Sequence, residues 1–169
     1  MFGALKLIQG KLPDVRARMV LPNPALKKLA DKLSTLQPNI EIQVGNLPQA
    51  LAQADIAIAS TGTVTMECAF FGVPTVTLYK TSWLTYQIAK RIVTVKSLTM
   101  PNLLANEEVF PEFVQNDASP ESIARAALEL LQNESRRTQI KSQLVKVISS
   151  LGQPGASQRA AMAILSLFQ

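Results

Sequence analysis

The stretch IAIASTGTVTMECAFFGVPTVTLY, residues 56–79, contains two short apolar runs with a helical segment between them. Residues 56–59 and 75–79 have the composition of strands, and residues 64–71 have that of a helix, which Gly72 ends. This order predicts two parallel strands joined by a helix. Because residues 56–59 are apolar on both faces, we predict that they form a central, buried strand.

The preceding segments continue this alternation of strands and helices. Residues 17–21 and 40–44 are predicted strands. Between them, Asn23 is a predicted helix cap, with Pro24 at the first helical position. The helix that follows has an apolar stripe made of Leu26, Leu29, Leu33 and Leu36. A short helix over residues 46–54 then leads to the central unit.

The chain after residue 79 is predicted to be mostly helical. We expect a helix over residues 83–93 and a short strand over residues 97–100, followed by helices alone. Those helices are expected at residues 103–115, 120–132 with Ser119 as cap, 134–151 and 158–168, with a break at 152–155. The pattern predicts one domain over residues 1–169. Its fold is α/β, a Rossmann-like parallel sheet with flanking helices and a helical C-terminal tail from about residue 103.

The composition excludes several classes of protein. Of 169 residues 47% are apolar, which suffices for one core, yet no apolar run approaches the roughly 18 residues of a membrane-spanning helix. The start MFGALKLIQG lacks the pattern of an export signal, so the cytoplasm is the expected location. The chain has no histidine and one cysteine, Cys68. This chain by itself therefore cannot form a Ser-His-Asp site, an internal disulfide or a thiolate metal cluster. We interpret Cys68 as a small buried apolar residue.

The chain is basic, with 17 Lys and Arg against 12 Asp and Glu and a formal charge of +5. The basic residues are dispersed without interleaved aromatic residues, so we predict no nucleic-acid binding. One segment combines Trp83 and Tyr86 with Lys80, Lys90 and Arg91. It fits contact with lipid headgroups, but the simpler interpretation is an amphipathic helix packed on the sheet.

The turn after residues 56–59 is the strongest candidate site. In open parallel sheets, ligands bind where a glycine-containing turn brings the N-terminus of a helix to the carboxyl end of a strand. Gly62 allows the backbone to approach a phosphate closely, and the hydroxyls of Ser60, Thr61 and Thr63 add hydrogen-bond donors. These residues favour a phosphate or diphosphate ligand. Ser, Thr and Gly are also common in ordinary strand-to-helix turns, and that interpretation stays open.

Glu67 lies one helical turn beyond Thr63 on the same face. A carboxylate there is able to accept two hydrogen bonds from a ribose diol, although an acidic residue early in a helix also complements its dipole. The opposite, buried face of this helix is predicted to be Val64, Cys68 and Phe71. We therefore place Glu67 in the candidate site with its function open between these two roles.

Further polar candidates follow residues 97–100 in the segment PNLLANEEVFPE. Asn102 comes just after the predicted strand and is placed to hydrogen-bond a sugar or phosphate, although helix capping explains it equally well. Glu107 and Glu108 are the acidic residues of the same segment. The sequence alone leaves both interpretations open.

Two runs together resemble a known family. They are ADIAIASTGTVTMECAFFGVPTVTLYKTSWLTYQIAKRIV, residues 54–93, and SLTMPNLLANEEVFPEFVQNDASPESIA, residues 97–124. The S-x-G-T-x-T-x-E helix, the G-V-P strand, the L-T-Y helix with A-K-R, and the P-N-L-L-A segment resemble, in this order, the lipid-A-disaccharide synthases. These are glycosyltransferases with the two-domain B fold.

The resemblance implies the C-terminal, donor-nucleotide-binding half of such an enzyme. The family transfers diacylglucosamine from UDP-2,3-diacylglucosamine to 2,3-diacylglucosamine 1-phosphate, forming the lipid A disaccharide and releasing UDP. By position, Ser60, Thr61, Gly62 and Thr63 would face the diphosphate and Glu67 the ribose, with Asn102 and Glu107 beside the donor. The resemblance implies no metal and no cofactor. It also implies a place in the cytoplasm, peripheral on the inner face of the bacterial inner membrane.

The chain also departs from the family pattern. Family members are about twice as long, and their N-terminal half supplies the acceptor site and the catalytic carboxylate. Their nucleotide half opens with a strand and a Gly-Ser-Arg turn, whereas Met1 falls within the following helix. We therefore name no catalytic residue and expect the isolated chain to bind UDP or a UDP-sugar without turnover. Exchange of C-terminal helices, which the family fold allows, would give a homodimer.

Two alternatives remain at this level. One is another UDP-sugar enzyme of the B fold, either the transferase of peptidoglycan synthesis or a UDP-sugar 2-epimerase, although the P-N-L-L-A segment argues against both. The other is a non-catalytic binding or regulatory module that contacts a membrane partner through its basic helices.

Overall fold

The computed structural model describes residues 1–34, 40–92, 95–152 and 155–168. The first elements are α1 (Phe2–Lys11), β1 (Ala17–Leu21), α2 (Pro24–Ser34), β2 (Ile40–Val44), α3 (Leu47–Ala52), β3 (Ala57–Ser60), α4 (Thr63–Phe70), β4 (Thr75–Tyr79) and α5 (Trp83–Ile92). The predictions of β1, β2 and β4 are confirmed to the residue. The predicted cap of α2 is also confirmed, since the N–H of Leu26 donates to Asn23 Oδ1 at 2.9 Å. Leu36, the last member of the predicted stripe, lies outside the described residues.

The later elements are α6 (Met100–Ala105), β5 (Glu112–Val114), a 3-10 helix (Gln115–Asp117), α7 (Pro120–Gln132), α8 (Glu134–Ser150), α9 (Ala156–Leu165) and a final 3-10 turn (Ser166–Phe168). The three predicted C-terminal helices are confirmed as α7, α8 and α9. Ser119 caps α7 as predicted, accepting a hydrogen bond of 3.1 Å from the N–H of Ser122. Residues 153–154 of the predicted break lie outside the described residues.

Two predictions between residues 97 and 115 are wrong. Residues 97–100 form no strand, because Thr99 is the N-cap of α6 and Pro101 occupies its first turn. The helix predicted over residues 103–115 ends at Ala105, because Asn106 adopts a left-handed backbone with φ of 52°. The chain then forms β5, so the tail from about residue 103 is not wholly helical.

The strands form two parallel groups. The pair β1–β2 runs from Ala17 opposite Ile40 to Leu21 opposite Val44, and the other group has the order β3–β4–β5. The central strand of this second group is therefore β4, and the prediction that residues 56–59 form a central strand is wrong. The physical reason is β5, which pairs along β4 on the side away from β3 and which the sequence had placed in a helix.

The hydrophobic core lies around β4, between helices α1, α4, α7 and α8. Its largest fully buried apolar side chains are Phe110, Ile140, Leu144, Val76 and Val109. No described residue of α9 is buried, and the leucines of the α2 stripe, Leu26, Leu29 and Leu33, are exposed. The helix α5 also has no buried residue, so the interpretation that its apolar face packs on the sheet is wrong. Its larger aliphatic residues, Leu84, Ile88 and Ile92, are instead exposed.

Gly72 ends α4 as predicted. It has a φ of +66°, and the N–H groups of Gly72 and Val73 donate to the carbonyls of Ala69 and Cys68 at 3.0 and 2.9 Å. This pattern is a Schellman motif, which a glycine in the left-handed conformation favours. The motif turns the chain directly into β4.

Candidate functional site

The carboxyl ends of β3, β4 and β5 meet at one edge of the three-stranded sheet. Ser60, the last residue of β3, lies opposite Leu78, and Tyr79 of β4 lies opposite Val114 of β5. The predicted turn at residues 60–63 is therefore at the edge where ligands of open parallel sheets bind. This edge is our candidate site.

The turn itself is fixed by hydrogen bonds on both sides of Gly62. On one side, the N–H of Thr61 donates to the carbonyl of Leu78 at 3.0 Å, which continues the pairing of β3 with β4. On the other side, Thr65 Oγ1 donates to the carbonyl of Gly62 at 2.7 Å. Gly62 has φ 141° and ψ −165°, a conformation essentially limited to glycine. Its α-carbon faces open space, since an added Cβ would meet nothing within 4 Å.

The polar groups of the turn face solvent. Ser60, Gly62, Thr63 and Glu67 are exposed, and Thr61 is half-buried. Within the described part of the chain, the hydroxyls of Ser60 and Thr63 make no hydrogen bond, and the N–H groups of Thr63 and Val64 meet no acceptor. Gly62 is the N-cap of α4 and has no side chain to cap it. The start of α4 therefore presents unpaired donors and the positive end of the helix dipole.

The buried face of α4 differs in part from the prediction. Thr65, Cys68 and Ala69 are buried, whereas Val64 is half-buried and Phe71 is 37% exposed. The prediction of a buried Phe71 is wrong, because Phe71 is the C-cap residue and leaves the helix face. Burial raises the pKa of the Cys68 thiol, a shift that a hydrogen bond with Thr75 partly offsets. Cys68 is therefore a protonated core residue, as interpreted from its neighbours.

Asn102 lies beneath the edge and not on its surface. It is 1% exposed, and its Nδ2 donates to the carbonyl of Phe110 and to Glu112 Oε1, both at 2.8 Å. Its Oδ1 accepts from the N–H groups of Val109 and Phe110 at 2.9 and 2.8 Å. All the hydrogen-bonding capacity of this amide is thus used within the chain. Here Asn102 orders the loop between α6 and β5.

Glu112 completes this network. Its Oε1 accepts from the N–H and the hydroxyl of Thr99 at 3.0 and 2.7 Å as well as from Asn102, and its Oε2 accepts from the N–H of Leu98 at 2.8 Å. The carboxylate thereby holds the start of α6 against β5. By contrast, Glu107 is exposed in the loop after α6, and its side chain has no hydrogen-bond partner among the described residues.

The loops after β4 and β5 are also joined. The N–H of Thr81 donates to Gln115 Oε1 at 2.8 Å, and Gln115 Nε2 donates back to the carbonyl of Thr81 at 3.1 Å. Lys80, the first residue after β4, lies near the amino group of Met1, whose pKa is lowered by burial and by the Lys80 charge. The start of α1 and a basic side chain therefore lie close to each other at this end of the molecule.

The sequence patterns did not assign roles to Thr65, Glu112 or Gln115. Thr65 is the second threonine of the T-x-T pair that begins α4, and a hydroxyl that reaches back three residues is a known turn motif. Glu112 is the glutamate of a Pro-Glu pair and is the first residue of β5. These signals exist in the sequence, but their partners are not predictable from spacing alone.

The described residues contain no cluster of His, Cys, Asp and Glu that could hold a metal ion. Two concave regions lie away from the turn. One, of about 260 Å³, is bounded by Phe113, Arg125 and Glu129, and the other, of about 770 Å³, lies between residues 13–17 and 40–41. The turn at residues 60–63 is open surface. No described helix is both long enough and apolar enough to cross a membrane.

Comparison with known proteins gives a consistent result. A family model described as lipid-A-disaccharide synthetase matches residues 1–167. The lipid-A-disaccharide synthase of Gloeothece citriformis (strain PCC 7424) is 39% identical over 168 residues, which cover 96% of this chain and 43% of that protein. That of Burkholderia vietnamiensis (strain G4 / LMG 22486) is 34% identical over 170 residues, which cover 99% of this chain and 44% of that protein. The chain therefore spans less than half the length of these curated relatives.

A solved structure supports the fold. The Thermobaculum terrenum O-GlcNAc transferase mutant K341M matches with a TM-score of 0.61 and 16% identity, over 90% of this chain and 29% of that one. At this identity the likeness shows a shared fold alone. It confirms the predicted α/β architecture of parallel strands flanked by helices.

Proposed function

The chain belongs to the lipid-A-disaccharide synthase family, and we propose that it forms the donor-binding part of a glycosyltransferase of that activity. The complete enzyme would transfer diacylglucosamine from UDP-2,3-diacylglucosamine to 2,3-diacylglucosamine 1-phosphate and release UDP. In this proposal residues 1–169 act as one nucleotide-sugar-binding domain. Its own role is to bind the donor and to stabilise the departing diphosphate.

One observation carries the proposal. In a purely structural strand-to-helix turn, a Ser or Thr hydroxyl often caps the following helix. Here the hydroxyls of Ser60 and Thr63 make no such bond within the described residues, and the cap position is Gly62. Among hydrogen bonds between described residues, Thr65 is the only residue of this turn that uses its hydroxyl. The remaining donors are therefore free for an anionic ligand, which argues for a binding turn over a purely structural one.

The chemistry of the turn suits a diphosphate. The free N–H groups of Thr63 and Val64, with the positive end of the α4 dipole, would bind phosphate oxygens, and the hydroxyls of Ser60, Thr61 and Thr63 would add further donors. As the bond to the sugar breaks, negative charge grows on the leaving UDP. Donors that are already in place stabilise this charge without reorganisation. The exposed carboxylate of Glu67 lies one turn along α4, where it would accept hydrogen bonds from the ribose hydroxyls.

The two remaining candidates have different roles in this proposal. Glu107 is exposed and is proposed to contact the donor from the loop after α6. Asn102 is proposed to act on the donor pocket through that loop, because its amide is fully used by Glu112, Val109 and Phe110. For the whole enzyme, we further propose that it binds a lipid acceptor, forms a homodimer and contacts the membrane peripherally.

A UDP titration of the purified chain by calorimetry tests the proposal. We expect saturable binding that weakens by about tenfold or more in Glu67→Ala, because two hydrogen bonds to a charged group are lost. Glu129→Ala is the matched control, since Glu129 is also an exposed glutamate of a helix but lies on α7. Equal affinities of the two variants would place the ribose elsewhere.

A second variant tests the diphosphate position. Gly62→Ala introduces a Cβ where the backbone conformation is strained for any other residue, so it should shift the turn and reduce UDP affinity. Gly10→Ala is the control, because Gly10 is an exposed glycine within α1 whose added Cβ would meet nothing. A folded chain that binds no UDP would overturn the proposal for this domain.

A further inference from the structure

The helix α5 has an apolar stripe on its outward side. Leu84, Ile88 and Ile92 are spaced four residues apart and thus share one face, and they are 64%, 53% and 72% exposed. Trp83, at the start of the helix, is 72% exposed. Contiguous apolar surface of this kind on a helix marks a docking face. The packing of the helix within the chain does not account for it, since no residue of α5 is buried.

The segment of the chain that contains α5 carries charges of a single sign. Between Glu67 and Glu107, residues 68–106 contain no acidic residue, but they contain Lys80, Lys90, Arg91 and Lys96. The net charge of this segment is therefore nearly as large as the formal net charge of the entire chain, which is +5. A partner that covers α5 must therefore complement apolar and positive surface together. An anionic bilayer, with acyl chains beneath phosphate groups, has this combination.

The start of α5 is held firmly at the candidate site. The N–H of Thr85 donates to Ser82 Oγ at 3.1 Å, and the N–H of Tyr86 donates to the carbonyl of Ser82 at 3.0 Å. The preceding residue, Thr81, makes the reciprocal pair with Gln115. The helix therefore has a defined start at the edge that holds the proposed donor turn. A bilayer contacting α5 would lie close to that edge.

We propose that α5 is an interfacial helix that docks this domain on an anionic phospholipid surface. Leu84, Ile88 and Ile92 enter the boundary between headgroups and acyl chains, Trp83 lies at headgroup level, and Lys90 and Arg91 contact lipid phosphates. This inference deepens the peripheral membrane contact of the proposed function, because it assigns the surface and the lipid chemistry. It gives a lipid-linked donor a short path from the bilayer to the turn at residues 60–63.

Trp83 is the only tryptophan of the chain, so its fluorescence reports on α5 alone. The full chain is mixed with vesicles of phosphatidylcholine, with or without phosphatidylglycerol. We expect a blue shift of Trp83 emission and quenching by brominated acyl chains, both strongest in the anionic vesicles. Each basic residue near an anionic surface contributes roughly fivefold to the partition coefficient. The pair Lys90→Gln and Arg91→Gln should therefore reduce partitioning by roughly tenfold or more.

Two controls make the result specific. Lys141→Gln with Lys146→Gln removes the same charge from exposed positions of α8 and should leave partitioning nearly unchanged. Leu84→Ser with Ile88→Ser should abolish the blue shift without unfolding the chain, because both side chains are exposed. If the α5 pair of variants and the α8 pair of variants reduce partitioning equally, the proposal is overturned, since the attraction would then follow net charge. A blue shift that depends on protein concentration without lipid would also overturn it, in favour of self-association.

A UDP titration on the same samples separates this proposal from the previous one. Vesicle binding through α5 with no UDP binding would support the lipid surface and contradict donor binding. UDP binding with no shift of Trp83 emission on anionic vesicles would contradict the lipid surface alone.

Discussion

Thr65 holds the carbonyl oxygen of Gly62 with two hydrogen bonds, one of 2.7 Å from its hydroxyl and one of 3.1 Å from its backbone N–H. Thr65 has no exposed surface. Water therefore does not compete for its hydroxyl, and Gly62 stays at φ 141°. The turn that would bind a diphosphate is thus ordered by a buried residue. Such preorganisation reduces the ordering that binding would otherwise require.

Replacing Thr65 tests this relationship. Thr65→Val keeps the shape of the side chain but removes the hydroxyl, so we expect a loss of about 1 kcal/mol in the free energy of unfolding. The affinity for UDP should also fall, because the backbone of Gly62 becomes less ordered. Thr65→Ser keeps the hydroxyl and should retain most of the affinity. Urea unfolding and UDP calorimetry measure both effects, and unchanged UDP affinity in Thr65→Val would contradict the ordering role.

Glu112 should be important for stability, although it lies in a strand of three residues. Glu112→Gln keeps one oxygen but places an amide group among the donors of Leu98, Thr99 and Asn102. We expect a loss of about 1.5–3 kcal/mol in the free energy of unfolding, as for hydrogen bonds to a charged group. Glu108→Gln, at an exposed position of the preceding loop, is the control and should change stability little. If the two variants unfold at the same urea concentration, the network does not stabilise the fold.

The same residues show which parts of the structure the sequence predicts. The strands β1 and β4 consist mainly of apolar and β-branched residues, and β2 alternates such residues with polar ones. Turn residues bound all three strands, so the local pattern suffices to predict them. The strand β5 has only the residues of Glu112–Val114, and it forms through pairing with β4 and through the contacts of Glu112 with Thr99 and Asn102. These partners are distant in sequence, and local periodicity carries no information about them.

In the candidate site, too, some features were predictable from the local sequence and others were not. The position of the turn at residues 60–63 was predictable, because a glycine that follows a strand and begins a helix has a strong local signal. The internal role of Asn102 was not predictable, because its four hydrogen bonds depend on how the loop of residues 106–111 folds back on α6. The apolar face of α5 was assigned to packing on the sheet, rather than to lipid headgroups, for a related reason. An amphipathic pattern predicts that one face is covered, but it does not identify what covers it.

Gly72 and Gly10 should respond to the same substitution in opposite directions. Gly72→Ala puts a Cβ on a left-handed residue that closes the Schellman motif of α4, and we expect a loss of about 1 kcal/mol. Gly10→Ala replaces an exposed glycine within α1, where an added Cβ meets nothing, and should stabilise by about 0.5–1 kcal/mol. Thermal unfolding of both variants measures the difference. A stabilising Gly72→Ala would show that the end of α4 is not held by this motif.

Cys68 should make the free energy of unfolding depend on pH, with a sign that follows from its raised pKa. Burial raises the pKa of its thiol in the folded chain, with a smaller contribution from the nearby Glu67 charge. As pH rises, the thiol of the unfolded chain ionises first, so the unfolded state becomes favoured. The contribution of Cys68 to stability is therefore complete below the ordinary thiol pKa and declines as pH rises towards the raised value. In Cys68→Ala this decline in stability should be absent, while any decline caused by other titrating groups should remain. Urea unfolding of both proteins between neutral and alkaline pH measures the difference.

The reactivity of the same thiol provides an independent check. Because Cys68 is 1% exposed, a disulfide reagent should label it only when the chain opens, at a rate that rises with urea in parallel with unfolding. Labelling of the native chain should therefore be far slower than labelling of the chain unfolded in urea. Rapid labelling of the native chain would mean that the segment around α4 opens readily. In that case the order that Thr65 and Gly72 impose on both ends of α4 would not extend to the core behind the proposed donor turn.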